Sequence, residues 1–174
     1  MHELERSDLE SFKNQEKFPL VIVLDQLRSG LNVGSLFRTA DAFAIEQIVC
    51  VGFTPCPPHR EVLKTALGSA QSVKWSHAES IEAELAGWKE RGYHLFALEQ
   101  VHDSTALQAW NNIPGPMVLV LGNEVNGVSE EALSMCDGSI EILQFGTKHS
   151  LNVAVSGGMA IYHIVRQWQL AKSC

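Results

Sequence analysis

No apolar run in this sequence approaches the roughly 20 residues needed to span a bilayer. The N-terminus, MHELERSDLESFKNQEKF, is acidic and polar, which suits neither a secretory signal nor a transit peptide. A cytoplasmic protein is therefore expected. The four cysteines, Cys50, Cys56, Cys136 and Cys174, form no CxxC pair and have no histidine partner at zinc spacing, so reduced thiols and no metal site are expected. The seven histidines are scattered, and only His59 and His149 sit in polar loops beside other candidate residues. There is no GxGxxG fingerprint and no Gly-Lys-Ser/Thr, which excludes dinucleotide and P-loop readings. Internal repeats, low-complexity tracts and linkers are also missing. Cations are scarce: 13 Lys and Arg against 20 Asp and Glu give a net charge of −7.

That charge argues against a nucleic-acid partner only as an average. Residues 21–75 hold Arg28, Arg38, Arg60, Lys64 and Lys74 against Asp25, Asp41, Glu46 and Glu61, one slightly basic stretch in an acidic chain. Its 174 residues, 45% hydrophobic and 19% charged, suffice for one domain with a real core and exclude an extended disordered chain.

Short aliphatic runs alternate with helical spacing. Runs at 19–25, 47–52, 93–99, 116–122 and 139–143 are mostly apolar throughout, as in strands covered on both faces of a parallel sheet. Helical spacing occupies 33–44, 59–67, 78–91, 129–135 and 151–171, and 72–77 reads as a short edge strand. The expected fold is α/β, with a mainly parallel sheet and helices on both faces. Residues 1–16 read as an amphipathic helix, so we divide the chain into an N-terminal extension, 1–18, and one domain, 19–174. In such a sheet ligands collect beyond the carboxyl ends of the strands.

Three of the loops there are unusual. In residues 28–43, Asn32 is a candidate cap, and Val33, Leu36, Phe37, Ala40 and the following Ala44 make a core stripe. Arg38 falls off that stripe beside Gly34, Ser35 and Ala42, small neighbours that leave room for another surface. In residues 119–133 a strand ends at Gly122, Asn123-Glu124-Val125-Asn126-Gly127 follows, and Ser129 with Glu130 and Glu131 starts a helix. In residues 143–168, Ser150 is a candidate cap for a long helix, and Asn152 lies in its first turn. Gly157 and Gly158 inside that helix each cost about 1 kcal/mol relative to alanine, tolerable where something packs against the backbone.

Together these segments resemble the SpoU-type RNA ribose 2′-O-methyltransferases of the SPOUT superfamily. The first motif stands as Asn32-Val33-Gly34-Ser35-Leu36-Phe37-Arg38-Thr39-Ala40, the second as Leu121-Gly122-Asn123-Glu124-Val125-Asn126-Gly127, and the third as Ser150-Leu151-Asn152-Val153. Pro57-Pro58-His59-Arg60 and Lys64-Thr65-Ala66-Leu67-Gly68 look familial as well. The resemblance spans about residues 20–171. It departs at Ile142-Leu143, where the family usually has Ile-Pro.

The resemblance implies a C-terminal deep trefoil knot, S-adenosylmethionine held in that knot, and a homodimer whose active site draws on both subunits. It places Leu98, Gly122, Asn123, Ile142, Ser150 and Leu151 at the cofactor. It assigns Arg38 to the reaction; since a guanidinium holds its proton too tightly to be a base alone, Arg38 would act with an RNA phosphate. Asn32 would hold Arg38 or the nucleotide, Glu124 the guanidinium or an adjoining amide, and Ser150 and Asn152 would complete the site. Arg28, Arg38, Arg60 and Lys64 would face the RNA. A chain without a separate N-terminal RNA-binding domain, carrying Gly-Asn-Glu, puts transfer RNA slightly ahead of ribosomal RNA. Rival readings are a knotted RNA-binding protein without catalysis and a base-nitrogen methyltransferase.

Overall fold

The computed structural model describes residues 9–111, 113–147 and 150–172. Seven strands form one sheet: β1 (Phe18–Asp25), β2 (Ile45–Val51), β3 (Trp75–Ala78), β4 (His94–Leu98), β5 (Thr105–Ala106), β6 (Met117–Leu121) and β7 (Gly138–Glu141). Their order is β3-β2-β1-β6-β4-β7-β5, and each described pairing is parallel. The helices are α1 (Leu9–Asn14), α2 (Gly30–Ala42), α3 (Arg60–Ala66), α4 (Ser69–Ser72), α5 (Ile81–Glu90), α6 (Glu130–Met135) and α7 (Val153–Lys172).

The unbroken apolar strands have the expected cause. Alternate β1 residues face opposite ways: Leu20, Ile22 and Leu24 join the layer formed by α2, α3 and α7, while Val21 and Val23 join α5 and α6. The sheet is thus covered on both faces. The register brings the carboxyl ends of its central strands level, pairing Leu24 with Leu121, Leu98 with Leu121, and Leu98 with Ile140. The loops that follow therefore meet at one edge.

Local chemistry moves several expected boundaries. α2 begins at Gly30 because Ser29 caps it, accepting from the Asn32 N–H at 3.2 Å; Asn32 is not the cap. α5 begins at Ile81 because Ser80 caps it. The expected strand at 72–77 splits, its first residue ending α4 and the rest giving edge strand β3. β5 is only two residues long, too short for any periodicity to have signalled it. Of the expected N-terminal helix, α1 lies within the described residues and residues 1–8 lie outside them; α1 buries no residue.

Two glycine expectations also change. Gly34 leaves no room for a foreign surface, because α3 of the same chain fills the space: a Cβ there would collide with the Val62 carbonyl and the Thr65 hydroxyl. Gly157 packs within the chain too, since a Cβ would lie 2.8 Å from Leu121 Cδ1 and 2.9 Å from Leu36 Cδ2. Gly158 differs, with nothing within 4 Å of its added Cβ. Because the collision at Gly34 is partly with backbone, Gly34→Ala is expected to destabilise by about 1–3 kcal/mol. Urea denaturation should show a lower midpoint with an unchanged slope; an unmoved midpoint would show that α2 and α3 are not pressed together.

Candidate active site

The β1–α2, β6–α6 and β7–α7 loops are joined by one hydrogen-bonded chain. Glu124 Oε2 accepts from the Arg28 N–H at 2.9 Å, and Oε1 accepts from the Ser29 N–H at 3.1 Å and from Asn32 Nδ2 at 3.0 Å. Asn152 Nδ2 then donates to Asn32 Oδ1 at 3.1 Å. Asn152 Oδ1 accepts from the Ala154 N–H at 2.9 Å and the Val155 N–H at 3.3 Å, so Asn152 caps α7 in place of the expected Ser150. Both ends of the Asn32 amide are thereby committed to Glu124 and Asn152 rather than to Arg38. Glu124 takes the adjoining amides, the second of its two expected roles.

Asn123 holds the β6–α6 loop from within. Its Nδ2 donates to the Gln26 carbonyl at 2.6 Å, and its Oδ1 accepts from the N–H groups of Val125 and Asn126. Its backbone exchanges two bonds with Gly127, each 2.9 Å. Gly122 makes that closure possible, because a Cβ there would run into the backbone of Gly127 and Val128. Gln26 carries strain at φ 54°, sparsely populated for a residue with a side chain.

These loops enclose a cleft of about 750 Å³. It is lined by all six residues expected at the cofactor (Leu98, Gly122, Asn123, Ile142, Ser150 and Leu151) together with Glu124 and Asn152. Arg38 and Lys64 do not line it. They border a neighbouring hollow of about 500 Å³ with Ser35 and Thr65. Six residues of helix separate Asn32 from Arg38, about 9 Å along the axis and on a different face. Arg28 and Arg60 are exposed at the same loop edge. His149 lies outside the described residues.

Sequence reasoning missed two carboxylates that end strands. Asp25, 1% exposed, accepts from the Ser129 N–H at 2.8 Å and seats the start of α6. Glu99 accepts from the Val128 N–H at 2.9 Å and the Gln100 N–H at 3.0 Å, beside Gly127. An acid following an aliphatic run, in Leu24-Asp25 and Leu98-Glu99, was the available signal. The cleft lining includes Glu99, Glu124, Glu130 and Glu141 and, among the described residues, no lysine or arginine. Such a lining suits a cationic ligand and repels phosphate. Its volume is that of a small-molecule site. Among the described residues no group of three His, Cys, Asp or Glu could hold a metal ion.

A parallel α/β sheet with a backbone-rich, acidic cleft at its carboxyl edge and arginines outside it offers a site for a small cationic ligand beside a surface fit for a larger anionic one. Residues 19–162 match the SpoU rRNA Methylase family, and the chain belongs to it. It is 30% identical over 172 residues to a 23S rRNA (guanosine-2′-O-)-methyltransferase of Vibrio parahaemolyticus, covering 98% of this chain and 68% of that one. The Neisseria meningitidis protein of the same name is 29% identical, and this chain covers 61% of its length. Among solved structures, the A. aeolicus TrmH/SpoU tRNA modifying enzyme superposes with a TM-score of 0.82 at 25% identity, over 94% of this chain and 82% of that one. An AdoMet-bound rRNA methyltransferase from Sinorhizobium meliloti gives 0.78 at 27% identity, over 92% and 60%.

The loop clamp is sensitive to pH. Partial burial of Glu124 opposes its charge, but the Arg28 N–H, the Asn32 amide and the Ser29 N–H hold its carboxyl below the usual glutamate value. The clamp is therefore fully present above the ordinary glutamate pKa of about 4.3, and is lost as pH falls through the depressed value. Hydrogen-exchange protection of the Arg28 and Ser29 amides should persist at pH 5 and collapse at lower pH. In Glu124→Gln it should already be reduced at pH 5 and change little at lower pH, and protection equal to wild type at pH 5 would remove Glu124 from the clamp.

Proposed function

We propose that this chain transfers a methyl group from S-adenosylmethionine to a ribose 2′-hydroxyl of RNA. The observation that carries this reading is the convergence of three motif segments on one acidic cleft, with the arginines just outside it. The relatives' names support ribosomal RNA ahead of transfer RNA, reversing the order expected from the sequence. The superposition on a tRNA modifying enzyme keeps transfer RNA as the second reading. Neither the non-catalytic nor the base-nitrogen reading gains support from these relatives. The unit of function is residues 19–174, with 1–18 as an extension; the family match begins at the same residue. We assign it to the cytoplasm; no described helix is long and apolar enough to cross a membrane.

Leu98, Gly122, Ile142 and Leu151 would hold the cofactor, mainly through backbone groups and apolar contact, and Asn123 would contribute only backbone because its side chain is committed to the loop. The family's knotted path over the β6–α6 and β7–α7 segments belongs to this reading. S-adenosylmethionine supplies the methyl group on a sulfonium, already a strong electrophile. The chain's task is then to place the 2′-hydroxyl in line and ease loss of its proton. Arg38 stabilises the developing alkoxide and orients an RNA phosphate that would take up the hydroxyl proton, with a neutral thioether as the leaving group. Arg28, Arg60 and Lys64 hold the backbone on either side.

Since Arg38 borders a separate hollow, a second copy has to bring its Arg38 to this cleft. The outward face of α7 supports a homodimer: Val155, Met159, Tyr162 and Leu170 are exposed at helical spacing, and open space lies over Gly158. Sedimentation equilibrium should find two chains in the wild type and one in Met159→Glu/Tyr162→Glu; a monomeric wild type would remove the composite site.

Arg38→Ala is expected to lower methyl transfer at least 100-fold while leaving S-adenosylmethionine affinity, measured by calorimetry, within about twofold. Labelled cofactor with total RNA and nucleoside mass analysis locates the product. A methyl on ribose supports the reading, a methyl on a base overturns it, and retained turnover in Arg38→Ala overturns the role of that residue.

A further inference from the structure

The loop after β2 carries a side chain with no part in the chemistry described above. Phe53 is 58% exposed, yet both its neighbours are fixed. Gly52 packs on Gln26, whose Cγ lies 3.3 Å from where a Cβ would stand, and its carbonyl meets His77 Nε2 at 2.7 Å. Thr54 is buried, its hydroxyl accepting from the Leu27 N–H at 3.0 Å and facing the Val51 carbonyl at 2.8 Å. The ring is thus held outward by a backbone anchored on either side.

Arginines stand on the segments joined to this loop, while His77, which meets the Gly52 carbonyl, also lies 3.7 Å from Glu79. Gln26 and Leu27, which Gly52 and Thr54 grip, lead directly to Arg28, and the Arg28 N–H is bound to Glu124 at the cleft. The start of α3 closes on the start of α2: a Cβ at Gly30 would lie 2.8 Å from Glu61 Cβ and 3.0 Å from His59 Nδ1. This brings His59 and Arg60 to the same edge, with Glu61 as the acidic residue packed there. A protein partner would call for a broad apolar patch. One exposed ring on a loop whose supporting segments lead to Arg28 and Arg60 instead has the make-up of a nucleobase platform, since bases stack on aromatic faces while cations take the phosphates.

We propose that Phe53 stacks an unpaired base of the RNA, next to the nucleotide whose ribose is methylated, while Arg28 and Arg60 hold the adjoining phosphates. Phe53 is then a substrate-positioning residue, and the inference rests on the RNA methyl-transfer reading.

The test uses the full chain with fluorescein-labelled oligoadenylate, read by anisotropy across a salt series, and methyl transfer into ribosomal RNA. Phe53→Ala and Phe53→Leu should each weaken oligoadenylate binding roughly tenfold, and Phe53→Trp should restore it. The slope of affinity against salt should stay unchanged in all three, whereas Arg28→Ala should reduce it by about one. In turnover, Phe53→Ala should raise KM for RNA, hold kcat and leave cofactor affinity unmoved. Wild-type affinity in Phe53→Leu would overturn stacking, because an aliphatic side chain would then serve as well. A changed association state in Phe53→Ala with unchanged RNA affinity would overturn it in favour of a chain–chain contact. If the wild type methylates RNA and Phe53→Ala keeps its KM, only this proposal fails. If the wild type neither binds nor methylates RNA, the parent reading falls and takes this one with it.

Discussion

The site depends on one carboxylate and two amides. Glu124 and Asn152 lie 92 and 120 residues from Asn32, which joins them by bonding to both. Loops at the end of a parallel sheet have no ladder to hold them, so their backbone donors need side-chain acceptors. Glu124 answers three donors of the β1–α2 loop, and Asn152 ties the resulting cluster to the first turn of α7. Loss of one member leaves the others with unpaired groups, which costs more than the bond itself. The order of the cleft is therefore a property of the three segments together.

The core and the sheet were readable from the sequence because they obey local rules. Strands buried on both faces are apolar throughout, and β1 shows why, with alternate residues serving two different layers. What sequence reasoning missed lies where residues act at a distance. Asn32 has every property of a cap, but Ser29 precedes it and takes that position, freeing Asn32 for Glu124. Ser150 lost the cap of α7 to Asn152 for a similar reason: two polar residues, one on either side of Leu151, satisfy the same local rule. Asp25 and Glu99 were passed over because neither belongs to a motif, and their partners lie 104 and 29 residues away.

The net charge of −7 also separates into places. Four glutamates line the cleft, while Arg28, Arg38, Arg60 and Lys64 stand outside it. An acidic interior keeps RNA phosphates from entering a cavity meant for a small cationic ligand, and an arginine-bearing rim attracts them to its mouth. The two fields meet at the loop edge, where Arg28 and Arg60 are exposed, while Arg38 is set on a different face of α2 from Asn32.

That division explains why a second copy matters. Arg38 borders a hollow separate from the cleft of its own chain, on a helix that α3 packs against at Gly34. On the proposed reading, a chain that keeps its cofactor cleft and Arg38 on separate faces acts on one ribose when another chain supplies the missing side. The exposed stripe on α7 and the open space over Gly158 give that second chain a place to dock. On that reading, docking there would bring Arg38 of one copy to the acidic cleft of the other. An isolated chain keeps Arg28 and Arg60 at its own loop edge, but its Arg38 borders a separate hollow.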